Sequence, residues 1–365
     1  MSPNDEMKRF QPWCILIVAI IGCGSISDLE SPQSSPTIVI TPSIPPRRVG
    51  WTNDFPWQEK WHLPIWLDDN TNYRSNIRNL IAFEEGLIFV DNPLNNSQNF
   101  GLKLVTSERD VYWMTELNGT VDSIVSDGNI VYAIGYLDRQ IQAIAYDRQT
   151  AKLIWQSKIF LPDHRGYDLL LRGQSLYAYS SISTDPVYRF DIQTGELVER
   201  LSFSGLKEDA FVVFQFDNQD LLQEANEQLM LTRGEQVIWQ TPLSPVVFRF
   251  PEFYHNLLIV KFEERTHPFQ SLAGIDKTTG EIVWHRSNIA RSNFVVVDDV
   301  LYLVNQAAKI MALDPKNGET LGWVEVLPLP TDLSYTDAAI TVYEDSLYVY
   351  FRDSLELIAF QKIND

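Results

Sequence analysis

Ala273-Gly274-Ile275-Asp276-Lys277-Thr278-Thr279-Gly280-Glu281-Ile282-Val283-Trp284 reads as a strand, a tight turn and a second strand. Asp276 accepts hydrogen bonds from backbone N–H groups two or three residues on, closing an Asx-type turn. Gly280 supplies the left-handed backbone that ends a short hairpin with a bulge. Trp284 follows in the second strand, eight places after the Asp. The same cadence returns around Asp314 and Gly318, around Asp191 and Gly195, and around Asp147 with its Trp155. At the Trp position two copies hold Glu199 and Gly322, with Trp323 one place later in the latter. Ala151 stands where the Gly belongs after Asp147, so a strained or differently shaped turn is expected there. These acidic residues read as turn caps. A calcium loop needs several oxygen donors at alternating positions, and this turn offers one or two.

A second signal precedes each turn: a turn pair followed by alternating apolar residues, often with Tyr. It reads Glu85-Gly86-Leu87-Ile88-Phe89-Val90, Asp127-Gly128-Asn129-Ile130-Val131-Tyr132 and Gly173-Gln174-Ser175-Leu176-Tyr177. Later copies begin at Asn256, at Asp298-Asp299 and at Glu344-Asp345. A degraded copy runs from Asp217 through Leu229-Met230-Leu231 to Gln236-Val237-Ile238-Trp239. Runs of this kind bounded by turn residues are strands. A period of roughly 40 residues built from short strands means a β-propeller. The count favours an all-β, seven-bladed ring, with eight blades as runner-up because the interval from Trp61 to Trp113 is long. The last copy ends on its third strand near Phe360. An unclosed ring exposes a sheet edge, so a strand from Pro56 to Leu63, bearing Trp61, is expected to complete the C-terminal blade. Trp61, Trp113, Trp155, Trp239, Trp284 and Trp323 are the outer-strand tryptophans of this scheme.

The front of the chain differs. Lys8-Arg9, an apolar run from Trp13 to Ile21 and Gly22-Cys23 form a secretory signal, too short for a membrane span of about 20 apolar residues. Ile20-Ile21-Gly22-Cys23 resembles the bacterial lipobox, which implies lipidation of Cys23. Ile at the position where Ala or Ser is commoner, and Asp5 and Glu6 near the start, depart from that pattern. Residues 23–50 are rich in Ser, Pro and Thr and read as an extended tether. The expected organisation is a signal peptide over 1–22, lipidated Cys and tether over 23–50, and the propeller over 51–365.

The net charge of −19 disfavours nucleic acid and close adhesion to anionic lipid. There is no Gly-x-Ser-x-Gly elbow, phosphate loop or His-Glu-x-x-His pair, and His62, His164, His255, His267 and His285 are scattered across copies. Connections near Asn92–Ser97, Leu161–Tyr167 and Glu263–Phe269 exceed what tight turns need, and recognition concentrates in such loops.

Gly128 to Trp155 and Ser271 to Trp284 resemble the pyrroloquinoline-quinone-type propeller repeat, a similarity spanning roughly residues 56 to 361. That family includes quinone-dependent dehydrogenases and non-enzymatic scaffolds, among them the lipoprotein subunit of the outer-membrane barrel-assembly machine. The dehydrogenases typically place the quinone between a Trp and a disulfide of neighbouring cysteines, with calcium held by Glu, Asn and Asp. Here the cysteines are Cys14 and Cys23, both ahead of the propeller. The resemblance therefore implies a monomeric, lipid-anchored extracytoplasmic scaffold without cofactor, metal or catalytic residues. Its partner would be a cell-envelope protein or peptide. A quinoprotein-like oxidoreductase or sugar-processing enzyme using the central funnel is the alternative.

Overall fold

The computed structural model describes residues 55–64, 80–84, 86–91, 100–106, 111–117, 119–137, 140–158, 166–180, 187–201, 211–215, 220–225, 228–233, 236–243, 251–264, 270–325, 338–351 and 356–363. The expected signal, Cys23 and the tether lie outside the described residues, as do 92–97, 161–165 and 265–269 of the long connections.

The described residues form strands and no helix. The first strand, β1 (Trp57–Pro64), belongs to the last blade. Blade 1 is β2 (Leu80–Phe83), β3 (Gly86–Asp91), β4 (Phe100–Thr106) and β5 (Val111–Leu117). Blade 2 is β6 (Gly119–Ser126), β7 (Ile130–Leu137), β8 (Gln140–Asp147) and β9 (Leu153–Lys158). Blade 3 is β10 (Tyr167–Arg172), β11 (Ser175–Ser180), β12 (Val187–Asp191) and β13 (Leu197–Leu201). Blade 4 is β14 (Phe211–Gln215), β15 (Asp220–Ala225), β16 (Gln228–Arg233) and β17 (Gln236–Thr241). Blade 5 is β18 (Glu252–Tyr254), β19 (Leu257–Glu263), β20 (Gln270–Asp276) and β21 (Ile282–Ala290). Blade 6 is β22 (Phe294–Val297), β23 (Val300–Val304), β24 (Lys309–Leu313) and β25 (Thr320–Glu325). Blade 7 is β26 (Ala338–Tyr343), β27 (Ser346–Phe351) and β28 (Glu356–Lys362), with β1 as its outer strand. The ring therefore has seven four-stranded antiparallel blades, not eight, and it closes through an N-terminal strand.

No blade has a core of its own. The second and third strands of a blade are buried on both faces, as in β7 and β24, which explains their near-continuous apolar sequence. Each hydrophobic cluster among the described residues joins two neighbouring blades. One unites Tyr132, Ile134 and Trp155 of blade 2 with Leu169, Leu176 and Phe190 of blade 3. Another unites Tyr302 and Ile310 of blade 6 with Leu347, Val349 and Phe360 of blade 7.

The closing strand is held on both faces and along its edge. β1 pairs antiparallel with β28 from Trp57↔Lys362 to Pro64↔Glu356, skipping Lys60 at a bulge. Trp57 packs edge-on against Tyr302 of blade 6 at 5.7 Å, and Trp61 packs against Tyr348 at 6.1 Å. The Ile363 amide donates to the Pro56 carbonyl at 2.8 Å, and His62 Nε2 lies 3.5 Å from Glu356 Oε1. Beside this seam, Lys362 Nζ reaches Asp298 Oδ2 of blade 6 at 2.6 Å. Trp57 is 1% exposed. Trp57→Ala is expected to cost about 3–5 kcal/mol, read as a lowered urea midpoint in equilibrium unfolding.

Candidate functional site

Between the third and fourth strands, the Asp turns share one geometry. Asp276 Oδ1 accepts from the amides of Thr278 at 2.8 Å and Thr279 at 2.9 Å. Asp191 accepts from Gln193 and Thr194, Asp147 from Thr150, and Asp314 from Lys316. Bonds from Thr150 to Asp147, and chiefly the Thr194 and Thr279 amides to Asp191 and Asp276, hold these three carboxyls below their ordinary pKa. Gly195, Gly280 and Gly318 have φ of 71°, 76° and 70°, and each amide returns to its Asp carbonyl at 2.8–2.9 Å. Ala151 takes φ 53°, and the Asp147 amide still reaches the Lys152 carbonyl at 2.9 Å, like the equivalent bond at Asp276. The Ala copy thus keeps the left-handed turn and bears its steric cost.

Those glycines have a second reason, invisible in the turn alone. A Cβ on Gly280 would stand 2.7 Å from the Trp239 ring of the preceding blade. A Cβ on Gly195 or Gly318 would stand 2.4 Å from Trp155 or 2.7 Å from Trp284. Each indole N–H then donates to the carbonyl just after the Asp: Trp155 to Ile192 at 2.8 Å, Trp239 to Lys277 at 3.0 Å, Trp284 to Pro315 at 2.9 Å. These tryptophans are inter-blade docking groups. Trp61 sits at the same bulged register position, opposite Ala359, as Trp284 does opposite Gly274. Trp323 is one place out: Gly322 holds the register position opposite Ala312, and Lys309 Nζ stacks 3.7 Å from the Trp323 ring. Trp113 pairs with Lys103 in β5; its side chain lies outside the described residues.

The polar cluster nearest to a catalytic arrangement is Glu264, His285 and Ser287 on blade 5. His285 Nε2 lies 2.8 Å from Glu264 Oε1, and Ser287 Oγ lies 3.4 Å from the same nitrogen. A proton relay needs the carboxylate on one ring nitrogen and the hydroxyl on the other. Both partners share Nε2 here, so the geometry is that of a surface ion pair. Among the described residues, no group of three or more His, Cys, Asp or Glu side chains is placed to hold a metal ion.

The two ends of the ring differ. One end carries the connections between first and second strands and between third and fourth strands; these are short, the longest being 314–319. The other end carries the connections from blade to blade and between second and third strands, including 65–79, 202–210, 242–251 and 326–337. All three long connections singled out from the sequence join strand ends on this second face.

Along the axis, the innermost strands enclose a cavity of about 400 Å³. Asp168, Glu252 and Asn293 fall at or just before the beginnings of β10, β18 and β22, the end that carries the long connections. Half of its polar wall, Ser123, Lys261 and Asn293, is committed to joining blades. Asn293 pairs with the backbone of Ile340 both ways, at 2.7 and 2.9 Å. Ser123 Oγ accepts from the Leu169 amide, and Lys261 Nζ donates to the Ser292 carbonyl, both at 3.2 Å. Burial raises the pKa of Glu252 above the ordinary carboxylate value. Sequence reasoning missed this cavity set, because its residues share no motif.

Comparison with known proteins fits this architecture. The family described as outer membrane protein assembly factor BamB matches residues 183–362. Residues 183–362 thus resemble a pyrroloquinoline-quinone-type repeat, and the fold is that of a β-propeller. The crystal structure of BamB from Moraxella catarrhalis superposes with a TM-score of 0.50 at 12% identity, covering 84% of this chain and 99% of that one. The WD40 β-propeller domain of Doa1 superposes with a TM-score of 0.58 at 12% identity, covering 84% and 96%. These likenesses are of fold. No curated protein matches the chain by sequence. The Trp–Gly contact and the left-handed backbone make opposite predictions for two turns. Gly280→Ala is expected to cost about 2–4 kcal/mol, from the left-handed backbone and from overpacking on Trp239. Ala151→Gly, which relieves the left-handed strain, is expected to stabilise by about 0.5–1 kcal/mol. Thermal unfolding of the two variants beside the wild type checks both signs.

Proposed function

We propose that this propeller is a non-enzymatic scaffold of the bacterial cell envelope, held to a membrane by lipid on Cys23 and binding a protein or peptide through one face of the ring. The observation that carries the reading is the asymmetry of the ring's two ends. Tight Asp turns close one end, while the long connections and the Asp168, Glu252 and Asn293 end of the axial cavity share the other. A ring cemented by inter-blade tryptophans gives such a face a rigid platform, and rigid platforms with irregular loops are where recognition concentrates. The family match to an outer membrane assembly factor supports placing that activity at the envelope. The acidic charge of −19 fits a partner surface that is neutral or basic.

Two measurements test the two halves of this reading. Wild-type protein expressed in bacteria is expected to incorporate labelled palmitate and enter the detergent phase, while Cys23→Ser remains aqueous and unlabelled. An unlabelled wild type would overturn the anchor. A photo-crosslinking amino acid at Gln306, on the long-connection face, is expected to capture an envelope protein. The same group at Lys316, on the tight-turn face, is expected to capture none. Equal capture at both positions, or none at Gln306, would overturn the assignment of the face.

A further inference from the structure

The wall of the axial cavity contains one carboxylate left uncommitted. Glu252 opens β18, its side chain lines the cavity, and no hydrogen bond or ion pair reaches it from the described residues. The other charged groups of that wall are Asp168, which is buried and has interactions of its own, and Lys261, tied to the Ser292 carbonyl. The remaining surface is largely aliphatic, with Leu169, Phe294 and Ile340 among its members. A carboxylate partly withdrawn from water, as Glu252 is, costs free energy unless it is protonated or paired. The described residues supply no pair, and desolvation alone pushes this group toward holding a proton. An incoming cation would relieve that cost directly, whereas an anion would meet two carboxylates against one ammonium. At about 400 Å³ the cavity lies toward the small end of ligand sites, which run from about 300 to 1,000 Å³. That suits a single side chain better than an extended molecule.

We propose that the axial cavity is a binding site for an organic cation, the guanidinium or ammonium of a basic side chain on a partner's loop, paired with Glu252 and flanked by the apolar wall. The partner as source rests on the scaffold reading above; the cation site does not. The place of Glu252 at the face bearing the long connections puts the cavity where an arriving loop would insert.

Calorimetric titration of the whole propeller with three probes tests this. N-acetyl-arginine methylamide represents the peptide side chain, agmatine a free cation, and N-acetyl-norleucine methylamide a neutral side chain of similar reach. The arginine probe is expected to bind, the neutral probe to bind at least about tenfold more weakly, and Glu252→Gln to lose about tenfold or more for the arginine probe. Equal binding of charged and neutral probes by the wild type would overturn the proposal without recourse to any variant. So would unchanged binding by a folded Glu252→Gln. Binding of agmatine alone would overturn the peptide as the source. Failure of crosslinking at Gln306 while the arginine probe still binds would overturn the assignment of the face to a partner and leave the cation site standing.

Discussion

An indole lying flat on a residue that lacks a side chain holds this ring together. Trp155, Trp239 and Trp284 each leave their own blade to cover the Gly of the next turn, and each donates its N–H to the carbonyl beside it. Because blades have no separate cores, these contacts and the shared clusters are the stability of the fold, not decoration on independent units. The arrangement also explains why the Asp turn keeps one shape. Its carbonyl must point at the indole, and the Asx bonds that fix it are the ones that depress the Asp191 and Asp276 carboxyls.

This pairing crosses blades, so the sequence motif is two half-sites rather than one unit. The Gly of a copy answers to the Trp of the copy before it. Where the Trp position holds Glu199 in blade 3, the turn of blade 4 has lost its Asp-x-x-x-Gly pattern as well. Where Trp155, Trp239 and Trp284 precede, Gly195, Gly280 and Gly318 follow. The match is not general: Trp61 precedes a blade 1 turn without Gly, and Trp113 precedes Ala151.

The repeat, the number of blades and the closing strand were legible because each depends on local chemistry: an Asx turn, a left-handed residue, an apolar run too short for a helix. Ala151 follows the same local logic, and of the two expected outcomes the strained turn is the one found. The hydrogen bonds hold the left-handed backbone there without glycine. Trp323 lies one place beyond the docking position, as its spacing from Asp314 indicates and the register of β24 with β25 shows. The axial cavity could not be read at all. Asp168, Glu252 and Asn293 come from three blades, and nothing in their spacing marks them as neighbours. A half-buried carboxylate without a partner among the described residues is a property of three-dimensional environment, and Glu252 in sequence is one acidic residue among many.

The seam between β1 and β28 joins the first and last strands among the described residues. Entropy makes that closure affordable, since each doubling of a loop adds only about 0.6 kcal/mol. Kinetically it is the most non-local pairing in the molecule, and such pairings are slow. Until it forms, Trp57 and Trp61 lack their berths and the β28 edge is open to other chains. A polypeptide that emerges with β1 early must therefore hold that strand unsatisfied through the making of all the other blades. Protection of newly made chains against mispairing is a cost written into the circular design itself.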